Sequence, residues 1–282
     1  MKRSVPRLLI CTLAFSLPWP AGAVAATASS AVAEAVDRFL HVVAHELSDP
    51  CDQVAMEQLM TGFAERGTLV DESVKAWILL TFDQHGALEA VKVNADLLLA
   101  APPLIQRAAV LHELEHLKRA KETRRQLDGS HVPYASQQGQ IGIADPPPAT
   151  SKLQHIVRIL VEDELRAYRR DILYVYDAVK AYGGLDAYLA TLPPASRAPT
   201  QRYYQQHVEP FITADGKIDE QRLCRDFIFL KTFPRHYPRY YEAALMWEAL
   251  EGHVEVRRGQ DGTWYPSRFI MPTAFLAWLA PS

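Results

Sequence analysis

The stretch "AAVLHELEHLKRA", Ala108 to Ala120, is the part of the sequence that most constrains the fold. It places His112 and His116 four residues apart inside a helical pattern of apolar residues, with Glu113 directly after the first histidine. Residues four apart on an α-helix lie on the same face, one turn from each other. Two imidazoles at that spacing can bind a single zinc ion at about 2.0–2.1 Å. The stretch therefore predicts a helix with two metal ligands on its inward face.

The residues from His112 to His116 match the pattern H-E-x-x-H, which suits metal-assisted hydrolysis. In such a site Glu113 takes a proton from a metal-bound water and later passes it to the leaving amine. The longer three-histidine pattern is excluded, because position 119 is arginine and position 122 is glutamate. A catalytic zinc ion usually has three protein ligands and one open position, so a third ligand must come from elsewhere in the chain.

The segment "LVEDELRAYRRD" offers three candidate acids on a long predicted helix. Glu162 falls in a charged, solvent-facing row of that helix, and Asp163 falls in a mixed row. Glu164 shares the apolar row of Leu160 and Ile172, which is the buried face. A carboxylate on a buried face needs a partner, and a metal ion provides one. We therefore favour Glu164 as the third ligand, with Glu162 and Asp163 as the alternatives.

"HELEH", followed after a loop by a helix that carries "ELRAY", resembles the zincin metallopeptidases of the gluzincin type. The resemblance covers about Val74 to Asp171. It implies a zinc cofactor, a peptide or protein substrate, and hydrolysis of the peptide bond with Glu113 as general base and acid. A pair of predicted strands before the motif is similar to the zincin layout, which makes Val91 to Leu99 the candidate substrate-binding edge strand.

Hydrolysis of this kind also needs a group that stabilises the developing oxyanion. Tyr168, one helical turn after Glu164, is the favoured candidate, and three more distant residues are alternatives: His236, Tyr241 and His253. Asp163 and Glu115 are candidates to hold the zinc-binding histidines in place through hydrogen bonds, with exposure to solvent as the alternative for Glu115.

Residues 1–25 have the layout of a signal peptide, with a basic start, a short apolar run and small residues after it. The apolar run "LLICTLAFSL" is shorter than the roughly 20 residues that a membrane-spanning helix needs. We therefore expect an exported protein, periplasmic or secreted, without a stable membrane span. The remainder, 26–282, is predicted to be one zincin-like domain.

Two cysteines, Cys51 and Cys224, remain once the signal peptide is removed. In an exported protein such a pair often forms a disulfide, so we expect a bond between them. Two buried free thiols are the alternative.

The composition is that of a globular protein: 49% of the 282 residues are hydrophobic and the formal net charge is −3. That charge gives no basic footprint, so nucleic acid is not an expected partner. Periodicity predicts an α+β chain that is mostly α, with a small antiparallel sheet beside the motif helix. The predicted helices span 31–47, 51–67, 104–122 and 151–182, the strands 74–83 and 87–100, an irregular loop 128–150, and a second hairpin 253–269.

Two other functions fit the same residues. One is a non-catalytic, zincin-like periplasmic protein whose metal is structural or absent. The other is a metal-dependent amide hydrolase that acts on a non-peptide or cell-wall substrate. A fourth protein ligand, or a Glu164 far from the histidines, would favour the first of these alternatives.

Overall fold

The computed structural model describes residues 25–70, 77–127, 134–135, 151–226, 238–260, 262 and 264–270. The described part of the chain is mostly helical with two small sheets, which confirms the α+β, mostly α prediction. The predicted signal peptide lies outside the described residues except for its last residue, and so does most of the loop 128–150. In chain order the elements are α1 Ala25–Glu46, α2 Pro50–Arg66, β1 Gly67–Leu69, β2 Ile78–Phe82, β3 Leu88–Val93, α3 Ala95–Ala100, α4 Pro103–Gln126, β4 Tyr134–Ala135, α5 Ser151–Ala181, α6 Leu185–Thr191, α7 Pro194–His207, a 3₁₀ turn Glu209–Phe211, α8 Glu220–Asp226, α9 Pro238–Leu250, β5 Val254–Arg258 and β6 Trp264–Phe269.

The two longest helices, α4 and α5, pack against each other at the centre of the chain. The residue types at the start of α4 and at the end of α5 explain why the helices begin and end there. Helix α4 begins at Pro103, where the fixed φ of proline suits a first helical position. Helix α5 is followed by Gly183 and Gly184, both with positive φ, and the Gly184 N–H donates to the carbonyl of Val179. Glycine adopts that conformation without steric cost, so the helix ends there.

A four-stranded sheet in the order β1-β3-β2-β4 packs beside α4. Strands β2 and β3 form the predicted antiparallel hairpin, and β4 continues the antiparallel pairing on β2. Strand β1 pairs parallel to β3. The sequence predicted the antiparallel hairpin but not the short parallel strand, which follows α2 directly.

The hairpin turn fixes the sheet against α4 through a glycine. Gly86 has φ +76°, and a Cβ there would lie 2.6 Å from the carbonyl oxygen of Ala120 on α4. Asp83 shapes the same turn, since its carboxylate accepts hydrogen bonds from the backbone N–H groups of His85 and Ala87. Only glycine combines this positive φ with so close an approach between the turn and the helix backbone.

The predicted substrate-binding strand Val91 to Leu99 is wrong in two respects. Only its first three residues are in β3, because Asn94 caps a new helix by accepting from the N–H of Leu97 and α3 follows. Moreover, β3 pairs on both sides, with β1 and with β2, so it is not an edge strand. An asparagine N-cap changes the backbone from strand to helix within one residue. The prediction missed this change because the apolar run "LLLA" resembles the continuation of a strand.

The expected disulfide between Cys51 and Cys224 is absent, and both thiols are free. Cys51 is exposed in the first turn of α2, whereas Cys224 is half-buried beside Arg169 and Glu220 at the contact of α5 with α8. The two thiols therefore lie in different surroundings. Among the described helices, none is both long enough and apolar enough to cross a membrane.

Candidate metal centre

The three predicted metal ligands converge between α4 and α5. His112 and His116 lie on α4 and Glu164 lies on α5, and all three are buried, with 8%, 0% and 0% of their surfaces exposed. One ligand atom of each lies within 4.8 Å of the other two. The helical phase that assigned Glu164 to the buried face is therefore confirmed. The three residues are close enough together to bind one metal ion.

The distances within this group suit a tetrahedral ion. The Nε2 atoms of the two histidines lie 3.3 Å apart. Two nitrogens bound to zinc at about 2.0–2.1 Å with a tetrahedral angle would be about 3.3–3.4 Å apart. The carboxylate of Glu164 faces both rings, with Oε2 3.7 Å from Nε2 of His112 and Oε1 3.8 Å from Nε2 of His116. A small movement of the Glu164 carboxylate would bring one of its oxygens to bonding distance of an ion held by the two Nε2 atoms.

Each histidine turns its other ring nitrogen to an aspartate of α5. Nδ1 of His116 lies 2.8 Å from Oδ2 of Asp163, and Nδ1 of His112 lies 3.3 Å from Oδ2 of Asp171. An ionised carboxylate only accepts hydrogen bonds, so both Nδ1 atoms carry a proton and donate it. In the neutral ring the lone pair is then on Nε2, which points to the other histidine. This arrangement fixes the tautomer that metal binding requires.

Asp163 is itself held by α4. The hydroxyl of Thr123 donates to its Oδ1 at 2.9 Å, and both residues are buried. The prediction that Asp163 supports the histidines is confirmed in this geometry. The same prediction for Glu115 is wrong, because Glu115 pairs with Lys118 and Arg170 instead. Helical phase explains this, since Glu115 is one residue from His116 and so points about 100° away around the helix.

The carboxylates raise the pKa values of both histidines in the metal-free protein. Burial lowers the pKa of His116, but the charges of Asp163 and Glu164 more than offset burial and raise it to about 9. Burial also opposes the charged form of His112, yet hydrogen bonds to Asp171 and Glu164 and the charge of Glu113 raise its pKa well above the ordinary value. The site therefore attracts positive charge, either as protons or as a metal cation.

The two predicted catalytic residues are both buried. Glu113 is 2% exposed and lies close enough to His112 for its charge to affect that ring. Tyr168 is 8% exposed, one turn beyond Glu164 on α5. Tyr168 lies beside Tyr203 of α7, and the pKa of the Tyr203 hydroxyl is raised well above its ordinary value by burial and by the nearby Asp171 and Tyr168.

Three residues around the ligands were not assigned a role from the sequence: Thr123, Asp171 and Tyr203. Asp171 had a signal, because it follows Glu164 by seven residues and so lies two turns along the same face of α5. Thr123 had the same signal, because it follows His116 by seven residues on α4. Tyr203 had none, since nothing in the sequence predicts which side chains of α7 turn towards α5.

The other candidates for each role lie elsewhere. Glu162 is half-buried and pairs with Arg158 on its own helix. His253 is bonded through Nδ1 to the buried Glu248, 2.8 Å away. His236 and the side chain of Tyr241 lie outside the described part of the chain.

Comparisons of the chain with protein-family models, with curated proteins and with solved structures found no match. The zincin resemblance therefore depends on the motif residues and on the geometry of the His112–His116–Glu164 group.

Proposed function

We propose that this chain is an exported zinc metallopeptidase in which His112, His116 and Glu164 bind the ion and Glu113 acts as general base and acid. One observation carries the proposal. Two Nε2 atoms 3.3 Å apart face a buried carboxylate from a second helix, and the glutamate of the motif is buried directly beside them. This is the donor set and the spacing that tetrahedral zinc prefers.

When bound, a zinc ion would supply Lewis acidity towards a water molecule and towards the carbonyl of a scissile amide. The chain's own residues handle the protons. Glu113 accepts one proton from the attacking water as its oxygen bonds to the carbonyl carbon, and gives that proton to the amine nitrogen as the carbon–nitrogen bond breaks. Tyr168 is the proposed hydrogen-bond donor to the oxyanion that develops on the carbonyl oxygen.

The number of ligands favours a catalytic over a structural metal. Structural zinc sites are usually closed by four protein ligands, whereas catalytic sites have three and an open position. In the described part of the chain, the group that can hold an ion has three members, His112, His116 and Glu164. A peptide or protein is the proposed substrate, and export rests on the predicted signal peptide 1–25.

The proposal is tested by replacing the proton carrier while keeping the ligands. The zinc-loaded parent protein and Glu113→Gln are incubated with a mixture of unstructured peptides, and new termini are measured by mass spectrometry. We expect Glu113→Gln to keep one zinc per chain and to lose about 10²–10⁴-fold in cleavage rate, because the base is gone. Glu122→Gln, on the same helix with a half-exposed side chain that pairs with Arg119, is the matched control and should cleave like the parent.

Two results would contradict the proposal in different ways. Equal cleavage by Glu113→Gln and the parent, with equal zinc, would remove Glu113 from the mechanism. A zinc-loaded parent that cleaves no peptide in the mixture would favour the amide hydrolase of non-peptide substrates or the non-catalytic protein.

A further inference from the structure

A second group of charged residues lies next to the metal centre, on the side of α4 that faces α2. We call it the charged clamp: Asp52 of α2, Glu115 and Lys118 of α4, and Arg170 of α5. Lys118 contacts both acids, with Nζ 3.1 Å from Oδ1 of Asp52, and Arg170 contacts the same two acids through its two terminal nitrogens. Two cations and two anions thus form a closed ring across three helices.

The clamp is largely removed from solvent. The side chain of Asp52 is 5% exposed, and the exposed fractions of Glu115, Lys118 and Arg170 are 16%, 19% and 27%. A buried ion-pair network is a weak source of net stability, because desolvation of the charges offsets their attraction. What such a network does provide is geometry, since a guanidinium that bridges two carboxylates allows little displacement of the helices.

On α5 the clamp is adjacent in sequence to one of the two aspartates, whereas on α4 its Glu115 is adjacent to His116. Arg170 immediately precedes Asp171, the partner of His112. The other pair, His116 with Asp163, has its own link between α4 and α5 through the 2.9 Å hydrogen bond from Thr123. The clamp and Thr123 thus connect the same two helices, each next to a different aspartate.

The pair next to the clamp is also the longer one. His112 and Asp171 are 3.3 Å apart, against 2.8 Å for His116 and Asp163. A residue rises 1.5 Å along a helix, so a shift of α5 by a fraction of one residue would take a 3.3 Å contact beyond hydrogen-bonding distance. The His112–Asp171 pair is therefore the one most sensitive to how α5 is held.

We propose that the charged clamp positions the metal centre. It fixes α5 along its axis relative to α4, so that Asp171 lies within hydrogen-bonding distance of His112, whereas Thr123 independently positions Asp163 against His116. This inference rests on the proposed metal centre, and it assigns Arg170, Glu115, Lys118 and Asp52 a role through Asp171 rather than contact with the substrate or the ion.

The test compares Arg170→Gln with Thr123→Val in the full-length, metal-free protein. The ring nitrogens are labelled with ¹⁵N in histidine only, and the Nδ1 proton resonances are assigned with His112→Gln and His116→Gln. We expect Arg170→Gln to move or broaden the His112 resonance and leave His116 unchanged. Thr123→Val should do the reverse. Arg169→Gln is the matched control, because it breaks an exposed Arg169–Glu220 pair one residue away on the same helix.

Zinc affinity, measured by competition with a chelator, is the second readout. Loss of a group that orients a ligand typically weakens metal binding by 10–100-fold. We expect a loss of about tenfold in Arg170→Gln and no change in Arg169→Gln. Asp52→Asn is the second variant, since it weakens the clamp from α2 without changing α4 or α5, and it should show the same selective effect on His112.

The outcomes separate the clamp from the proposed function. If both resonances respond alike to Arg170→Gln and to Thr123→Val, or if neither responds to Arg170→Gln and Asp52→Asn, the positioning role is wrong. If the resonances respond selectively but the parent protein binds no zinc, the clamp still positions His112 and the metal centre of the proposed function is wrong.

Discussion

The Nε2 atoms of His112 and His116 face each other across 3.3 Å, while each ring donates through Nδ1 to an aspartate of α5. Two nitrogen lone pairs cannot bond to one another, so this arrangement requires a proton or a cation between the rings. The buried carboxylate of Glu164 on the same side adds negative charge. A divalent ion between the three groups would satisfy all of them at once.

If the centre binds a metal as proposed, the aspartate behind each histidine should contribute to metal affinity without touching the ion. We expect Asp163→Asn to weaken zinc binding by about 10–100-fold, because an amide orients the His116 ring less strongly and makes it less basic. Competition with a chelator measures the change. Asp177→Asn, at an exposed position on the same helix, should bind zinc like the parent. An unchanged affinity in Asp163→Asn would mean that the aspartate does not tune the site.

Zinc binding should release protons near neutral pH. The pKa of His116 is raised to about 9, so that ring is charged at pH 7 in the metal-free protein, and the pKa of His112 is also raised above its ordinary value. A ligand nitrogen must be free of its proton, so binding should displace at least one proton at pH 7, and affinity should rise with pH until both rings are neutral. Calorimetry in two buffers of different ionisation enthalpy counts the protons. Release of none at pH 7 would show that the rings are already neutral.

The raised histidine pKa values also make the stability of the metal-free protein depend on pH. The folded-state pKa of His116 exceeds the ordinary value of 6.5, so its ion pairs stabilise the fold fully below about pH 6.5. That contribution is lost as the pH rises through about 9. Zinc, which binds the neutral rings, should therefore stabilise the protein more at pH 8 than at pH 6. Thermal unfolding with and without zinc at the two pH values measures the difference.

Much of the metal centre follows from helical phase alone. His112 and His116 are one turn apart, and Glu164 falls in the apolar row of α5, so their faces are determined by position along each helix. What the sequence does not determine is how two helices are set against each other. That alignment decides that Asp171 meets His112 and that Glu115 meets Arg170, and it depends on packing by many residues distant in the chain.

The features of the fold that the sequence analysis predicted incorrectly have local causes. The run from Leu97 to Ala100 has the apolar character of a strand, but the N-cap at Asn94 makes it helical. Strand β1 has only three residues, too few for any pattern of alternation to show. The disulfide between Cys51 and Cys224 was expected because the protein is predicted to be exported and keeps two cysteines. Neither reason carries information about the distance between the two thiols.

The contact between the β2–β3 turn and α4 gives a prediction about stability. We expect Gly86→Ala to lower the free energy of unfolding by about 2–4 kcal/mol, through strain at positive φ and the clash with the backbone of Ala120. Gly216→Ala is the control, since Gly216 has the same φ of 76° but nothing within 4 Å of its Cβ position. It should lose only the backbone part, about 1–2 kcal/mol. Urea denaturation measures the free energy of unfolding of both variants. Equal losses would mean that the turn moves away from α4 without a further loss of stability.

The most direct measurement is the zinc content of the folded protein by native mass spectrometry, after loading with zinc and removal of the excess. We predict one zinc ion per chain in the parent and in Glu162→Gln, a change two residues from the ligand Glu164 at a half-buried acid that pairs with Arg158 one turn away. We predict a loss of bound zinc in Glu164→Gln and in His112→Ala, because each removes one of three ligands. A parent protein that holds no zinc, or a Glu164→Gln variant that holds as much as the parent, would contradict the metal centre described for this chain.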